Sequence, residues 1–186
     1  LPDNASVLEI GCGRGAGARQ VLSRFRPGHL LATDLDLQMI RAAGSFLSVE
    51  ERRRTAFAVA DAEALPLKPS SVDAVFGFGF LHHVPRWRLA LEEIYRVLAP
   101  EGLYFLEELY PAFYQNRLTA RLLVHPEKDR FQSRDLNLAM NRVGFDALDR
   151  IDWPLLGILA VYRKPAAGAV SRICNAAVSL EIHEPK

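Results

Sequence analysis

Hydrophobic positions recur along this chain with two different periods, and together they predict a sheet covered by helices. Short apolar runs of strand length occupy residues 7–10, 29–34, 56–60, 72–78 and 103–106. Apolar residues at helical spacing occupy 18–25, 37–47 and 87–98. Strands that alternate with helices in this way are typical of an α/β protein with a largely parallel sheet.

The helix predicted over residues 37–47 also has a start signal. Asp36 stands directly before it, where a short acidic side chain caps a helix. We expect Leu37, Ile40 and Phe46 to face inward. The charged run at residues 50–54 predicts a solvated helix end or loop before the third strand.

Beyond the fifth strand the pattern predicts further helices and a pair of strands. The helices cover residues 111–124 and 134–143, the strands cover 145–152 and 156–162, and a helical pattern without a motif covers 169–180. Ser133 is the predicted cap of the helix at 134–143, which Gly144 ends. Residues 100–102 predict a turn that leads into the fifth strand.

The composition is that of one globular domain. The chain has 186 residues, 49% hydrophobic and 24% charged, with a formal net charge of +1 at pH 7. This balance gives no electrostatic reason to expect nucleic acid or an acidic membrane as a partner. No apolar run reaches the roughly 18 residues of a membrane span, and we expect a cytoplasmic protein. Since the first residue is Leu1, we expect a processed or truncated form.

Cysteine and histidine spacing gives no metal or disulfide signal. Cys12 lies in a glycine-rich turn and Cys174 near the end of the chain, so they form no disulfide framework. His82 and His83 are adjacent, which excludes the i, i+4 pair of a helical zinc site. We therefore predict no metal ion.

A glycine-rich turn joins the first strand to the first helix. The sequence Glu9-x-Gly11-x-Gly13-x-Gly15 has the strand–turn–helix form of a nucleotide-binding βα unit. Gly11 allows a tight turn, Gly13 allows a ligand to approach the backbone, and Gly15 allows the helix to begin close to the sheet. The turn alone does not choose the nucleotide, because dinucleotide-binding domains share it.

Asp34 ends the second strand, about twenty residues beyond the glycines, where a carboxylate accepts hydrogen bonds from ribose hydroxyls. The position of Asp34 therefore predicts a contact with a ribose, but it does not indicate which nucleotide cofactor carries that ribose. Asp36 is better placed as the helix cap.

Four segments together resemble the class I S-adenosylmethionine-dependent methyltransferases of the small-molecule type. They are residues 9–15, Asp34, the ADAEALPL segment at 60–67 and the GFGFLHHV segment at 77–84. The resemblance implies a Rossmann-like, doubly wound sheet, mostly parallel, with an antiparallel C-terminal hairpin strand. It covers residues 1–163 as one methyltransferase-like domain and leaves 164–186 as a tail of unknown role.

The resemblance also implies a set of residues that bind S-adenosylmethionine. An acid after the third strand, Asp61, would accept from the adenine amino group, and the amide of Ala62 would donate to the ring. The carbonyls of Gly77 and Phe78 would accept from the methionine ammonium. The full set of predicted cofactor-binding residues is Glu9, Gly11, Cys12, Gly13, Asp34, Leu35, Asp61, Ala62, Gly77 and Phe78.

Catalysis by positioning requires no particular catalytic side chain, because the sulfonium already makes the methyl group electrophilic. His82 and His83 are candidates for a general base, with packing or helix capping as the alternative. Glu107 is a candidate at the carboxyl end of the fifth strand, with a solvated loop carboxylate as the alternative.

The acceptor class is predicted from what the sequence lacks. No DPPY-like tetrapeptide and no Pro-Cys pair follows the fourth strand, and no basic patch indicates nucleic acid. We therefore expect a small-molecule acceptor, with a protein side chain as the alternative, and make no prediction of oligomeric state. Two alternatives stay open: an NAD(P)-dependent Rossmann oxidoreductase, and a non-catalytic binding module with the methyltransferase fold.

Overall fold

The computed structural model describes residues 1–111, 131–153 and 155–166. The helices predicted over 111–124 and 169–180 lie outside these ranges, apart from Pro111.

Seven strands and five α-helices are formed by the described residues. The strands are β1 (Ser6–Ile10), β2 (His29–Asp34), β3 (Thr55–Val59), β4 (Val72–Phe78), β5 (Leu98–Leu109), β6 (Asp146–Trp153) and β7 (Gly157–Arg163). The helices are α1 (Ala16–Phe25), α2 (Leu37–Ala43), α3 (Val49–Arg53), α4 (Trp87–Val97) and α5 (Ser133–Val143). Short 3₁₀ turns cover Gly44–Phe46 and Leu81–His83.

The strands form one sheet in the order β3-β2-β1-β4-β5-β7-β6. Strands β1 to β5 pair in parallel with one another, and β7 pairs antiparallel with both β5 and β6. The chain crosses from one side of β1 to the other between β3 and β4, which places the topological switch point between β1 and β4. The predicted doubly wound sheet with an antiparallel C-terminal hairpin is confirmed.

Helices cover both faces of the sheet. On one face, α4 buries a stripe at helical spacing that packs on the sheet together with α5. The stripe consists of Trp87, Ala90, Leu91, Ile94 and Val97. On the other face, α1 buries Ala18, Val21 and Leu22 against β1, β2 and β4. At the end of α1, the Phe25 ring lies 4.9 Å from that of Phe76 and 5.1 Å from that of Phe105.

The helix predicted over 37–47 is interrupted at Gly44. Asp36 caps α2 as predicted, because its side chain accepts from the amide of Gln38. Leu37 and Phe46 are each 48% exposed, so the prediction that they face inward is wrong. Glycine is a poor helix former, and the chain turns there into the 3₁₀ segment. Ser48 then begins α3 with a capping box to Glu51.

Two further boundaries differ from the prediction. Gln132, rather than Ser133, is the N-cap of α5, in a capping box with Asp135. The Ser133 hydroxyl instead donates to the Asp152 carboxylate on β6. Strand β5 begins at Leu98, because residues 99–102 form an irregularity within the strand rather than a separate turn.

Gly15 brings the start of α1 against the end of α2. Its φ is +91°, and a Cβ atom there would lie 2.1 Å from the carbonyl oxygen of Ala43. Gly13 also has a positive φ, +52°, but a Cβ atom there would meet nothing within 4 Å. The close approach at Gly15 is therefore to α2 and not, as the sequence had led us to expect, to the sheet, while the space beside Gly13 is open.

These two glycines form a matched pair for a stability test. Gly15→Ala is expected to lower the free energy of unfolding by at least about 2 kcal/mol more than Gly13→Ala does. Both substitutions carry the left-handed backbone cost of roughly 1–2 kcal/mol, but only the first also clashes with a fixed backbone carbonyl. Urea unfolding of both variants measures the difference. Equal destabilisation would contradict the proposed contact with α2.

Candidate functional site

The predicted cofactor-binding residues meet at one edge of the sheet. They lie at the carboxyl ends of β1, β2, β3 and β4, on the two sides of the switch point. The strand register sets their spacing, since Glu9 stands beside Ala32 of β2 and Phe76 of β4, and Ile10 beside Gly77. In an open parallel sheet, this edge is where ligands bind.

Asp34 is held in place by two backbone amides. The amide of Gly13 donates to its Oδ2 at 2.9 Å, and the amide of Asp36 donates to its Oδ1 at 2.9 Å. A carboxylate has about four lone-pair sites, so each oxygen keeps the capacity to accept from a ligand. Leu35, which follows it, is 70% exposed.

Glu9 is an unusual residue because its carboxyl group is buried without full hydrogen bonding. The residue is 2% exposed, and its Oε2 atom has no hydrogen-bond partner. Its Oε1 lies beside α1, 2.0 Å from where a Cβ atom at Gly17 would stand. Burial, and secondarily the charge of Asp34, raises the pKa of Glu9 to about 8. An unpaired buried acceptor at a ligand-binding edge is suited to a cationic or N–H donor.

Cys12 lies in the same electrostatic environment. The residue is buried, and its amide donates to the carbonyl of Thr33 at 2.9 Å. Burial, with the charges of Glu9 and Asp34, raises the pKa of the Cys12 thiol to about 12. A thiol that keeps its proton is a poor nucleophile, so this residue shapes the turn rather than reacting.

The segment after β3 carries Asp61 and Ala62 to the same edge. Its start is tied to β2, because the amide of Ala60 donates to the carbonyl of Asp34 at 3.0 Å. Asp61 is exposed and its Oδ1 accepts from the amide of Glu63, whereas Ala62 is buried. Asp61 therefore stabilises the turn and still presents a carboxylate to solvent.

Helix α4 holds this segment by an ion pair that the sequence analysis missed. Glu93 accepts from the amide of Leu65 at 2.7 Å. Arg96 donates to the carbonyls of Leu65 and Leu67, at 3.0 and 2.7 Å, and bonds to Glu93 through its Nε at 2.6 Å. Helical i, i+3 spacing places the two side chains together, but no local pattern indicated which loop they would bind.

The carboxyl end of β4 completes the site. Phe78 is half-buried and lies beside α1, with its Cδ2 2.8 Å from where a Cβ atom at Gly17 would stand. Phe80 is buried in the core between the ends of β1 and β4, since Cβ atoms at Gly11 or Gly77 would each lie 2.4 Å from it. The two phenylalanines thus fix the backbone of the predicted methionine-binding turn.

The three catalytic candidates occupy different environments. Glu107 is exposed on the face of the sheet that carries Phe78 and Phe105, and His83 is exposed. His82 is directed at Glu108, with 2.6 Å between its Nδ1 and Oε2 of the glutamate. His82 contacts Glu108 rather than Glu107 because side chains alternate between the two faces of β5. Glu108 lies on the buried face, together with Tyr104, Leu106 and Tyr110.

Among residues 1–111, 131–153 and 155–166, no group of three or more His, Cys, Asp or Glu side chains is arranged to hold a metal ion. None of the helices in these ranges is long and apolar enough to cross a membrane.

The chain can now be placed in a family. A family model described as a methyltransferase domain matches residues 8–106, which is more than half of the chain. The chain therefore belongs to the class I S-adenosylmethionine-dependent methyltransferases.

Two curated relatives and one solved structure illustrate this placement. A fatty-acid O-methyltransferase of Mycolicibacterium smegmatis is 32% identical over 58% of this chain and 38% of its own length. A malonyl-[acyl-carrier protein] O-methyltransferase of a Methylovorus species is 31% identical over 76% of this chain and 50% of its own. The chain thus spans half or less of these relatives. The structure of an S-adenosylmethionine-dependent methyltransferase from Mesorhizobium loti superposes with a TM-score of 0.71 at 18% identity, covering 88% of this chain and 94% of its own, which shows the shared fold.

The residues at the site fit the cofactor that this family implies. Open space beside the Gly13 backbone admits a ligand. Asp34 has free acceptor capacity for hydroxyl donors, and the unpaired Glu9 oxygen suits an amino group.

The buried carboxyl of Glu9 gives a stability test with a definite sign. Glu9 keeps its proton up to a pKa of about 8 when folded and loses it near 4.5 when unfolded, so its ionisation favours unfolding between these values. Glu9→Gln should therefore gain stability over the wild type as the pH rises, by at most about 1.4 kcal/mol per pH unit. Urea unfolding across this pH window measures the difference. A difference that does not change with pH would contradict the assignment.

Proposed function

We propose that this chain binds S-adenosylmethionine and transfers its methyl group to a small-molecule acceptor. The observation that carries the proposal is the meeting of three acidic residues, Glu9, Asp34 and Asp61, at the carboxyl ends of adjacent parallel strands around a glycine-rich turn. The match of the family model over residues 8–106 supports the same conclusion.

Each part of the cofactor has a group of suitable chemistry. Asp34 would accept from the ribose hydroxyls, Asp61 from the adenine amino group, and the amide of Ala62 would donate to the ring. Glu9 and the carbonyls of Gly77 and Phe78 would accept from the methionine ammonium. When bound, the cofactor supplies a methyl group on an electrophilic sulfonium.

The protein would then contribute by holding the backbone of the site in place and by excluding water from it. Arg96 and Glu93 hold the adenine side of the site by bonds to the backbone of residues 65–67. Phe80 and Phe78 hold the turn after β4 and remove water from its backbone. Orientation of this kind contributes up to roughly 7–11 kcal/mol to a bimolecular reaction.

The proposed acceptor is a small molecule rather than nucleic acid. The net charge of +1 provides no attraction for a phosphate backbone. The two relatives named above are, by their names, O-methyltransferases of a fatty acid and of malonyl-acyl-carrier protein, which supports acceptors with an acyl group as the first compounds to test. A screen of cell extract with labelled methyl donor and the full natural chain would identify the acceptor.

The binding test uses neighbouring aspartates. Asp34→Ala should weaken binding of S-adenosylhomocysteine by more than about tenfold, which corresponds to about 1.4 kcal/mol, because the ribose loses its carboxylate. Asp61→Ala should act in the same direction but less strongly, since the amide of Ala62 is retained. Asp36→Ser is the matched control, because serine keeps the helix cap and the residue has no proposed ligand contact.

Titration calorimetry measures these affinities, and NADH serves as a competing ligand. Unchanged affinity in a folded Asp34→Ala variant would contradict the proposed contact between Asp34 and the ribose. Binding of NADH without binding of S-adenosylhomocysteine would contradict the proposed function as a whole and would favour an oxidoreductase.

A further inference from the structure

Glu108 binds the turn after β4 from a neighbouring strand. This turn, residues 79–83, is called the β4 turn below. Glu108 lies near the end of β5, and its side chain is 0% exposed. Its Oε1 accepts from the amide of Leu81 at 2.6 Å, and its Oε2 lies 2.6 Å from Nδ1 of His82. Both oxygens of one buried carboxyl group therefore contact consecutive residues of the β4 turn.

The β4 turn has no side-chain cap of its own. Phe80 is the N-cap residue of the 3₁₀ segment Leu81–His83, and its phenyl ring has no acceptor for the first amides of that segment. Leu81 is fully buried, so its amide needs a partner within the protein. Glu108 supplies this partner from β5.

The position of the β4 turn determines where Phe80 lies. Phe80 is buried, and Cβ atoms at Gly11 or Gly77 would each lie 2.4 Å from its side chain. Phe80 therefore packs tightly between the glycine-rich turn after β1 and the end of β4. Because Leu81 is the next residue, its bond to Glu108 limits how far Phe80 can shift against these two glycines.

The β4 turn also continues the backbone proposed to bind the methionine ammonium, namely the carbonyls of Gly77 and Phe78. Only Gly79 separates Phe78 from Phe80, and its φ is +62°. Glycine has wide conformational freedom in this region, so the backbone needs an anchor on each side of it. Strand β5 provides both anchors. The carbonyl of Glu107 accepts from the amide of Gly79 at 2.8 Å, and the carboxyl group of Glu108 accepts from Leu81.

We propose that Glu108 is a positioning residue for the methionine end of the cofactor. This inference rests on the proposed function and adds to it a determinant on β5 that need not touch the ligand. Glu108 holds the β4 turn, and the turn holds Phe80 against Gly11 and Gly77. The carbonyls that would accept from the ammonium are then ordered before the ligand arrives, which reduces the entropy lost on binding.

A purely structural role for Glu108 would have a different effect. Loss of the residue would then lower stability, but the folded fraction would bind every ligand as before. The positioning role instead confines the loss to ligands that carry the amino group. The adenosine end of the cofactor would be bound by Asp34 and Asp61, which lie at the ends of β2 and β3 and not on the β4 turn.

Two ligands with the same nucleoside separate these roles. S-adenosylhomocysteine carries the amino acid, and 5′-methylthioadenosine has a methyl group in its place. Glu108→Met keeps an unbranched side chain and removes both carboxyl oxygens. In the full natural chain it should weaken binding of S-adenosylhomocysteine about tenfold or more, and change binding of methylthioadenosine by less than about twofold.

Two further variants serve as controls for Glu108→Met. Glu108→Gln retains an amide oxygen that accepts from Leu81, so its affinity for S-adenosylhomocysteine should lie between those of the wild type and Glu108→Met. Leu136→Ala opens a cavity in the same core cluster, on α5, which has no proposed ligand contact. It should lower stability without selective loss of either ligand. Calorimetry measures the tighter ligand, and a nuclear magnetic resonance titration measures the weaker one.

The outcomes distinguish the positioning role from the proposed function. Unchanged affinity of Glu108→Met for S-adenosylhomocysteine, equal weakening of both ligands, or the same selective loss in Leu136→Ala overturns the positioning role. Absence of S-adenosylhomocysteine binding in the wild type contradicts the proposed function itself.

Hydrogen exchange in the wild type tests the same coupling without a substitution. Coupling between two sites is reciprocal, so a ligand that uses the positioned carbonyls should in turn stabilise the β4 turn. At saturation, S-adenosylhomocysteine should slow exchange of the Leu81 amide more than methylthioadenosine does. Equal protection by the two ligands overturns the proposal even if Glu108→Met does not fold.

Discussion

Burial of a carboxyl group at the carboxyl end of β1 is the constraint on which this site depends. The buried carboxyl group of Glu9 lies beside Gly17 of α1 and near the Phe78 ring, and one of its oxygens has no partner. A buried polar atom without a hydrogen bond costs roughly 1–3 kcal/mol. The parallel register keeps it beside β2, so the negative charge of Asp34 adds to the cost. The fold therefore concentrates unfavourable electrostatics at the point where a ligand with an amino group and hydroxyls would relieve them.

The other candidate residues at this edge of the sheet are held in place around Glu9. Asp34 is fixed by the amides of Gly13 and Asp36, and the loop after β3 is tied back to Asp34 through Ala60. Each tie uses backbone groups that the end of a strand leaves unpaired. The proposed ligand would therefore meet groups whose positions are set by the fold, rather than flexible side chains that must be ordered on binding.

Local patterns predicted most of the elements, and the candidate site residues meet at one edge of the sheet for physical reasons that can be named. The glycines follow β1, Asp34 ends β2 and the ADAEALPL segment follows β3, so the topology alone brings them to one edge of the sheet. The failures arise where tertiary contacts compete with a local signal. Ser133 has an excellent capping side chain, but Asp152 across the sheet takes its hydroxyl and Gln132 becomes the cap.

The same reasoning explains why the contact between His82 and Glu108 was not predicted. Adjacent histidines and adjacent glutamates offer four possible pairs, and the sequence indicated Glu107 only as a separate candidate. Only the direction of the pleat in β5 shows that Glu108 is the one turned toward His82. In helix α2, by contrast, a local signal was underestimated. The apolar spacing predicted a helix to residue 47, but α2 ends at Gly44, a poor helix former.

The bonds made by Arg96 have a consequence for how such a protein evolves. The Arg96 guanidinium is bonded to Glu93 of α4, which packs in the core, and to the carbonyls of Leu65 and Leu67, which precede β4. Under the proposed function, a substitution of Arg96 would change both thermal stability and binding of the nucleoside. Selection on either property would then constrain the other.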